Sequence, residues 1–125
     1  MPILLHGTTR RRAEQILKQG PDPEFVEPAS ETIGVAGSFS TCLEAGPFLF
    51  GRPEEYARSK ASIFRDEGGA AIIVVEVPQS IVDLAAGPYF PLEQGLIQFD
   101  RGAGLEELIA AWPQLLKQLR LVESK

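Results

Sequence analysis

His6 is the only histidine in the chain, and it stands in the run His6-Gly7-Thr8 directly after the apolar triplet Ile3-Leu4-Leu5. Those residue types suit the grip of a flat, polar ligand. A neutral imidazole donates from one nitrogen while its other nitrogen is held by a second group. Gly7 lacks a Cβ, so a flat amide can come close to its backbone. Thr8-Thr9 can cap a following helix, and Thr8 could steady His6 at the same time. Arg10-Arg11-Arg12 come next, and guanidinium groups or helix N-terminal amides attract an anionic pyrophosphate. The plainer alternatives stand beside these: His6 as a structural bridge between strand and loop, and the arginines as a solvated helix face.

A second group of candidates lies further along. Phe39 is the ring in Gly37-Ser38-Phe39-Ser40-Thr41, Tyr56 sits in Glu55-Tyr56-Ala57, and Glu93, Gln94 and Gln98 flank or occupy Leu96-Ile97-Gln98-Phe99. Cys42 is the single cysteine, and His6 would have to be the base of any Cys–His nucleophile built on it. One Cys and one His are too few nitrogen and sulfur ligands for a zinc site.

Positioning these residues takes a set of short elements. Ile3 to Leu5 reads as a buried strand closed by His6-Gly7. A helix then carries Ala13, Ile16 and Leu17 on one face, and Lys18-Gln19-Gly20-Pro21 stops it. Pro21 to Gly34 reads as a long surface loop, and Gly37 to Thr41 as a second strand. Gly46 to Gly51 is turn-rich, with Phe48, Leu49 and Phe50 set to plug the core. Arg52-Pro53-Glu54-Glu55 opens a helix lined on one side by Tyr56, Ala57, Lys60, Ala61 and Phe64 and ended by Gly68-Gly69. Ala71 to Val77, continuous and β-branched, is the clearest central strand. Ser80 to Leu84 makes one helical turn, Gly87 to Pro91 a loop, and Leu96 to Phe99 another strand. Leu105, Leu108, Ile109 and Trp112 mark an amphipathic helix that Pro113 ends or kinks. Leu115, Leu116 and Leu119 continue a short helical stretch before an edge strand at Leu121-Val122.

The order strand–His6-Gly7-Thr8–helix, then Gly37-Ser38-Phe39-Ser40-Thr41, then a helix with Tyr56-Ala57, then two further strands resembles the ADP-ribosyltransferase superfamily. The resemblance is to its histidine-type branch, which includes poly-ADP-ribose polymerases and tRNA 2′-phosphotransferases. It extends over about three-quarters of the chain through short motifs. It implies an α+β fold with a split β-sheet core and short flanking helices, and NAD as substrate. In such a site His6 would donate to a ribose hydroxyl, the Gly7 backbone would pair with the nicotinamide amide, and Phe39 would stack on the nicotinamide ring. Phe39 stands where the family carries a Tyr and keeps the ring face. Thr8, Arg10 and Tyr56 complete the implied cofactor contacts. The family's third motif places a Glu at the start of a late strand, to stabilise the oxocarbenium-like transition state as nicotinamide leaves. Here Gly95 or Leu96 falls at that place, so Gln98 or Glu93 is expected to stand in.

Three functions follow from the resemblance: transfer of ADP-ribose to an acceptor, a catalytically inactive module that binds a nucleotide or a protein, and RNA 2′-phosphate removal. Protein and RNA are the candidate acceptors. The 125 residues fit one domain, residues 1–125, and 44% hydrophobic with 23% charged residues is globular composition. A net charge of -5 argues against broad nucleic-acid binding. No apolar run approaches the ~20 residues of a membrane helix, and the N-terminus lacks the basic region of a signal peptide. With one cysteine, which fits a reducing compartment, the expected location is the cytoplasm.

Overall fold

The computed structural model describes residues 1–23, 38–48, 51–85 and 95–123. Five antiparallel strands form one sheet: β1 (Ile3–Thr9), β2 (Phe39–Leu43), β3 (Ala70–Glu76), β4 (Leu96–Phe99) and β5 (Lys117–Leu121), in the order β4-β2-β1-β3-β5. Among the described residues four helices accompany it: α1 (Arg10–Gln19), α2 (Pro53–Ile63), α3 (Gln79–Val82) and α4 (Leu105–Ala111), the last running into a 3-10 turn at Trp112–Gln114. The chain is α+β, as its patterning indicates.

Strand alternation sorts the core into two layers. Leu4, Phe39, Ala71, Ile73, Val75, Ile97 and Phe99 face one way and pack with Ala13 of α1, Val82 of α3 and Leu105 and Leu108 of α4. Leu5, Ala70, Ile72 and Val74 face the other way, beneath Ala57 and Ala61 of α2. Helix α2 comes so close that an ideal Cβ on Gly7 would lie 2.2 Å from the Pro53 carbonyl oxygen. Gly7 therefore admits the first turn of α2.

Three sequence expectations are corrected here. The first strand runs on through His6-Gly7-Thr8-Thr9, because β3 pairs with it all the way from Ile3↔Glu76 to Thr9↔Ala70. Of the pair Thr8-Thr9 expected to cap α1, Thr9 does so, its hydroxyl accepting from the Arg12 N–H at 3.3 Å, while Thr8 is a buried strand residue with no part in the cap. Leu115, Leu116 and Leu119 do not continue a helix, and the edge strand expected at Leu121-Val122 starts earlier. Pro113 lies in the 3-10 turn, Leu115 caps the core, and Lys117 to Leu121 pair with β3 as an edge strand. Residues 24–34 of the expected long loop, Gly37, Leu49, Phe50, the 87–91 loop, Glu93 and Gln94 lie outside the described residues.

The Gly7 contact yields a direct test. Gly7→Ala should destabilise the protein by about 1–3 kcal/mol or more, the usual range for overpacking against an unyielding backbone, and lower its melting temperature accordingly.

Candidate functional site

Strands β1 and β2 pair at Leu4↔Leu43 and Leu5↔Cys42 and then part. In an antiparallel sheet successive residues turn their N–H and C=O toward alternate neighbours. The Ile3 carbonyl accepts from Glu44 N–H on the β2 side, and the Pro2 carbonyl accepts from Val77 N–H on the β3 side. Gly7 therefore turns its N–H and C=O toward β2, where the ladder has already ended.

An unbroken ladder would give the Ser40 carbonyl to the Gly7 N–H. His6 takes it instead: its Nδ1 lies 2.7 Å from the Ser40 carbonyl oxygen. The imidazole thus links the two strands beyond their last paired position, beside the buried Gly7. A carbonyl only accepts, so the bond assigns the proton to Nδ1 and leaves Nε2 a bare acceptor. The His6 pKa is pushed down to about 3, first by burial and then by the Lys60 charge, against the opposing pull of the Ser40 carbonyl. The ring is neutral throughout the physiological range.

Phe39 stacks directly on this imidazole, with centroids 4.3 Å apart and planes inclined at 28°. It meets Trp112 edge-on at 6.1 Å and is only 4% exposed. Two rings that admit a third between them must stand about 7 Å apart, twice the carbon contact distance. Phe39 and His6 do meet, as the motifs require, but they close on each other. A nicotinamide ring stacked on Phe39 has no room on the side that His6 covers.

The third-motif candidates separate by face. Gln98 pairs with Ser40, while its neighbours Ile97 and Phe99 pair with Thr41 and Phe39. Gln98 thus projects from the face opposite His6 and Phe39, since one step along a strand reverses the side chain. Its amide is committed there: Oε1 accepts from Ser40 Oγ at 3.1 Å, and Nε2 donates to Asp100 Oδ1 at 2.9 Å. Gly95 has the other polarity. Its carbonyl accepts from Leu43 N–H at 2.8 Å, level with Leu4 and one pleat below His6. It carries no side chain and has no space for one. Its φ is +84°, and an ideal Cβ would sit 3.0 Å from Pro47 Cδ and 3.1 Å from Pro47 N.

The cationic candidates are used structurally. Arg12 Nε donates to Glu67 Oε1 at 2.7 Å, its guanidinium lies 3.9 Å over the Phe64 ring, and Thr9 Oγ1 also donates to Glu67. The bond from Arg12, with that from Thr9, holds the Glu67 carboxyl below its usual range. Arg10 reaches Glu14 at 3.6 Å across one helical turn. The α1 amides expected to meet a pyrophosphate are occupied as well, Arg10 N–H by the Gly69 carbonyl and Arg11 N–H by that of Glu67. Tyr56 is 37% exposed on α2, on the side of the sheet away from Phe39.

Cys42 pairs with Leu5 on the α2 side of the sheet, and burial, helped by the Glu54 charge, pushes its thiol up to about 11. It does not face His6, which lies on the other side of the sheet. Among the described residues no cluster of three or more His, Cys, Asp or Glu side chains could hold a metal ion, and no helix is long and apolar enough to cross a membrane. Two depressions lie away from His6. One, of about 510 Å³, is bordered by Pro23, Arg101, Glu106 and Ile109, and the other, of about 240 Å³, by Arg11, Arg12, Gln15 and Glu67.

The chain matches no family model, no curated protein and no solved structure.

Sequence reasoning missed Ser40, whose contribution is a backbone carbonyl and so leaves no trace in residue type. It also missed Lys60, whose charge acts on His6 from α2.

The His6 pKa sets a pH dependence. Its folded value lies below the unfolded value of about 6.5, so between pH 6.5 and 3 the unfolded chain binds a proton that the native chain refuses. Stability must therefore fall as pH drops through that window, by no more than about 1.4 kcal/mol per pH unit from this group. His6→Asn keeps a donor near the Nδ1 position and has no titrating ring. Its melting temperature should be flatter between pH 7 and 5 than that of the wild type, and parallel profiles would refute the assignment.

Proposed function

We propose that this chain is an ADP-ribosyltransferase-like domain that binds a ribonucleotide such as NAD at the mouth of the β1–β2 gap and does not cleave it. The observation that carries the reading is the register: the β1–β2 pairing ends at Leu5↔Cys42, just before His6-Gly7, the residues whose motif implied a ligand, and the His6 ring bridges to the Ser40 carbonyl beyond it. Further support comes from the strand order. The three segments that carry the resemblance, distant in sequence, are adjacent as β4-β2-β1.

The non-cleaving form of the reading rests on what faces the opening. Departure of nicotinamide builds positive charge on the ribose, and removing a positioned electrostatic stabiliser typically costs roughly 10²–10³ in rate. Among the described residues, the His6 face of β4 and the turn before it offer Gly95, Ile97 and Phe99, which have no charge to supply. Gln98, on the other face, is bound to Ser40 and Asp100.

Millimolar NAD should raise the melting temperature of the wild type, His6→Ala should abolish the shift, and no nicotinamide should be released. Absence of any shift would defeat the nucleotide reading. Turnover that disappears in Glu93→Ala would replace the non-cleaving form with an active transferase.

Restoring the family's acid at the third motif should also fail. Gly95→Glu is expected to lower the melting temperature, because its Cβ meets the Pro47 backbone and its φ is strained for an L-residue. It should generate no nicotinamide release, and a gain of turnover would show that the turn at Pro47 yields.

A further inference from the structure

Strand β5 closes one end of the sheet, and among the described residues no strand pairs with its outer edge. The polarity of that edge follows from the bonds on its inner side. The Glu76 N–H donates to the Leu116 carbonyl and the Val122 N–H to the Ala70 carbonyl, and the register between them is unbroken. Leu116, Gln118, Arg120 and Val122 therefore bond toward β3, while Lys117, Leu119 and Leu121 turn their N–H and C=O outward.

Sheet edges are ordinarily blunted by a proline, a bulge or an outward charge. Residues 117–121 hold no proline, and their register with β3 has no bulge. The Lys117 ammonium is drawn back onto its own chain, where it donates to the Trp112 carbonyl and lies 5.3 Å from the Trp112 ring. Leu121 is exposed at the end of the strand. The edge is thus left open to another strand.

We infer that β5 pairs with β5 of a second copy of the chain, antiparallel about a twofold axis through Leu119, so that two sheets join into one. Charge and strand length select this register. Centred on Leu119, it sets Lys117 opposite Leu121 of the second copy and Gln118 opposite Arg120, and every outward residue exchanges backbone bonds. Centring on Lys117 or Arg120 would set like charges directly opposite each other, which is destabilising. Centring on Gln118 or Leu121 would leave part of each strand opposite residues outside Lys117–Leu121. The inference is independent of the nucleotide reading.

Sedimentation of the full-length chain over a dilution series tests it. A contact confined to one edge is smaller than a stable interface, so dimers should form at millimolar protein and disperse on dilution. Gln118→Glu places a carboxylate opposite the Arg120 guanidinium and should tighten the dimer, whereas Gln118→Arg should weaken it. Each change is expected to be about two- to thirtyfold, from two cross-strand pairs per dimer at their usual strength. Leu121→Pro removes an outward donor and no bond to β3, so it should disperse the dimer while the monomer keeps its circular dichroism. A monomer throughout the series overturns the inference, and so do assemblies larger than a dimer, since the twofold axis uses up the edge. A dimer indifferent to both Gln118 variants overturns it as well. Gln118 is exposed, so those two variants decide the matter even if Leu121→Pro does not fold.

Discussion

The hydrogen bond from the His6 ring to the Ser40 carbonyl governs the rest of this structure. A sheet that stops pairing in its interior leaves peptide groups without partners, and such groups are costly to bury. Here one side chain takes the carbonyl that the backbone has given up. That holds β2 at a fixed distance from β1, sets the tautomer of the ring, and presents Phe39 to the imidazole face. Without it the two strands have two choices. They zip on to Ser40 and Gly7, closing the gap, or they separate and expose Phe39 and Trp112.

The two sides of the sheet serve this feature differently. Gly7, with no side chain, lets α2 settle on β1, so that the gap is backed by a rigid helix. On the other side Phe39 is wedged between His6 and Trp112, and the Trp112 indole N–H reaches across to the Leu17 carbonyl of α1. The pinned imidazole is therefore braced through aromatic contacts to the helix that follows its own strand. These contacts fix the orientation of the His6 ring.

Much of the fold was legible because burial patterns were strong. Ala13, Ile16 and Leu17 mark one face of α1, and the β-branched run up to Val77 leaves β3 little alternative. β5 was not legible. Leu115, Leu116 and Leu119 have helical spacing, yet Leu115 closes the core from a turn, Leu116 is exposed, and Leu119 is one inward position of an edge strand. Three leucines filling three different roles carry no common period. At the site, the meeting of His6 with Phe39 followed from motif order, since both belong to adjacent strands. Their closure on each other did not follow, because a centroid distance is set by where the ladder breaks. The face of Gln98 turned on register with Ser40, which tertiary pairing decides. Glu93, the other residue expected to replace the family's acid, lies outside the described residues.

The claim that His6 and Phe39 act as one closed unit is tested most directly by a double-mutant cycle on stability with His6→Ala, Phe39→Leu and the pair together. Contacting rings should show a coupling of about 0.5–1.5 kcal/mol, the range of stacked aromatic pairs. Strictly additive losses would contradict the account, since they would mean that the ring over the gap and the ring beneath it do not depend on each other.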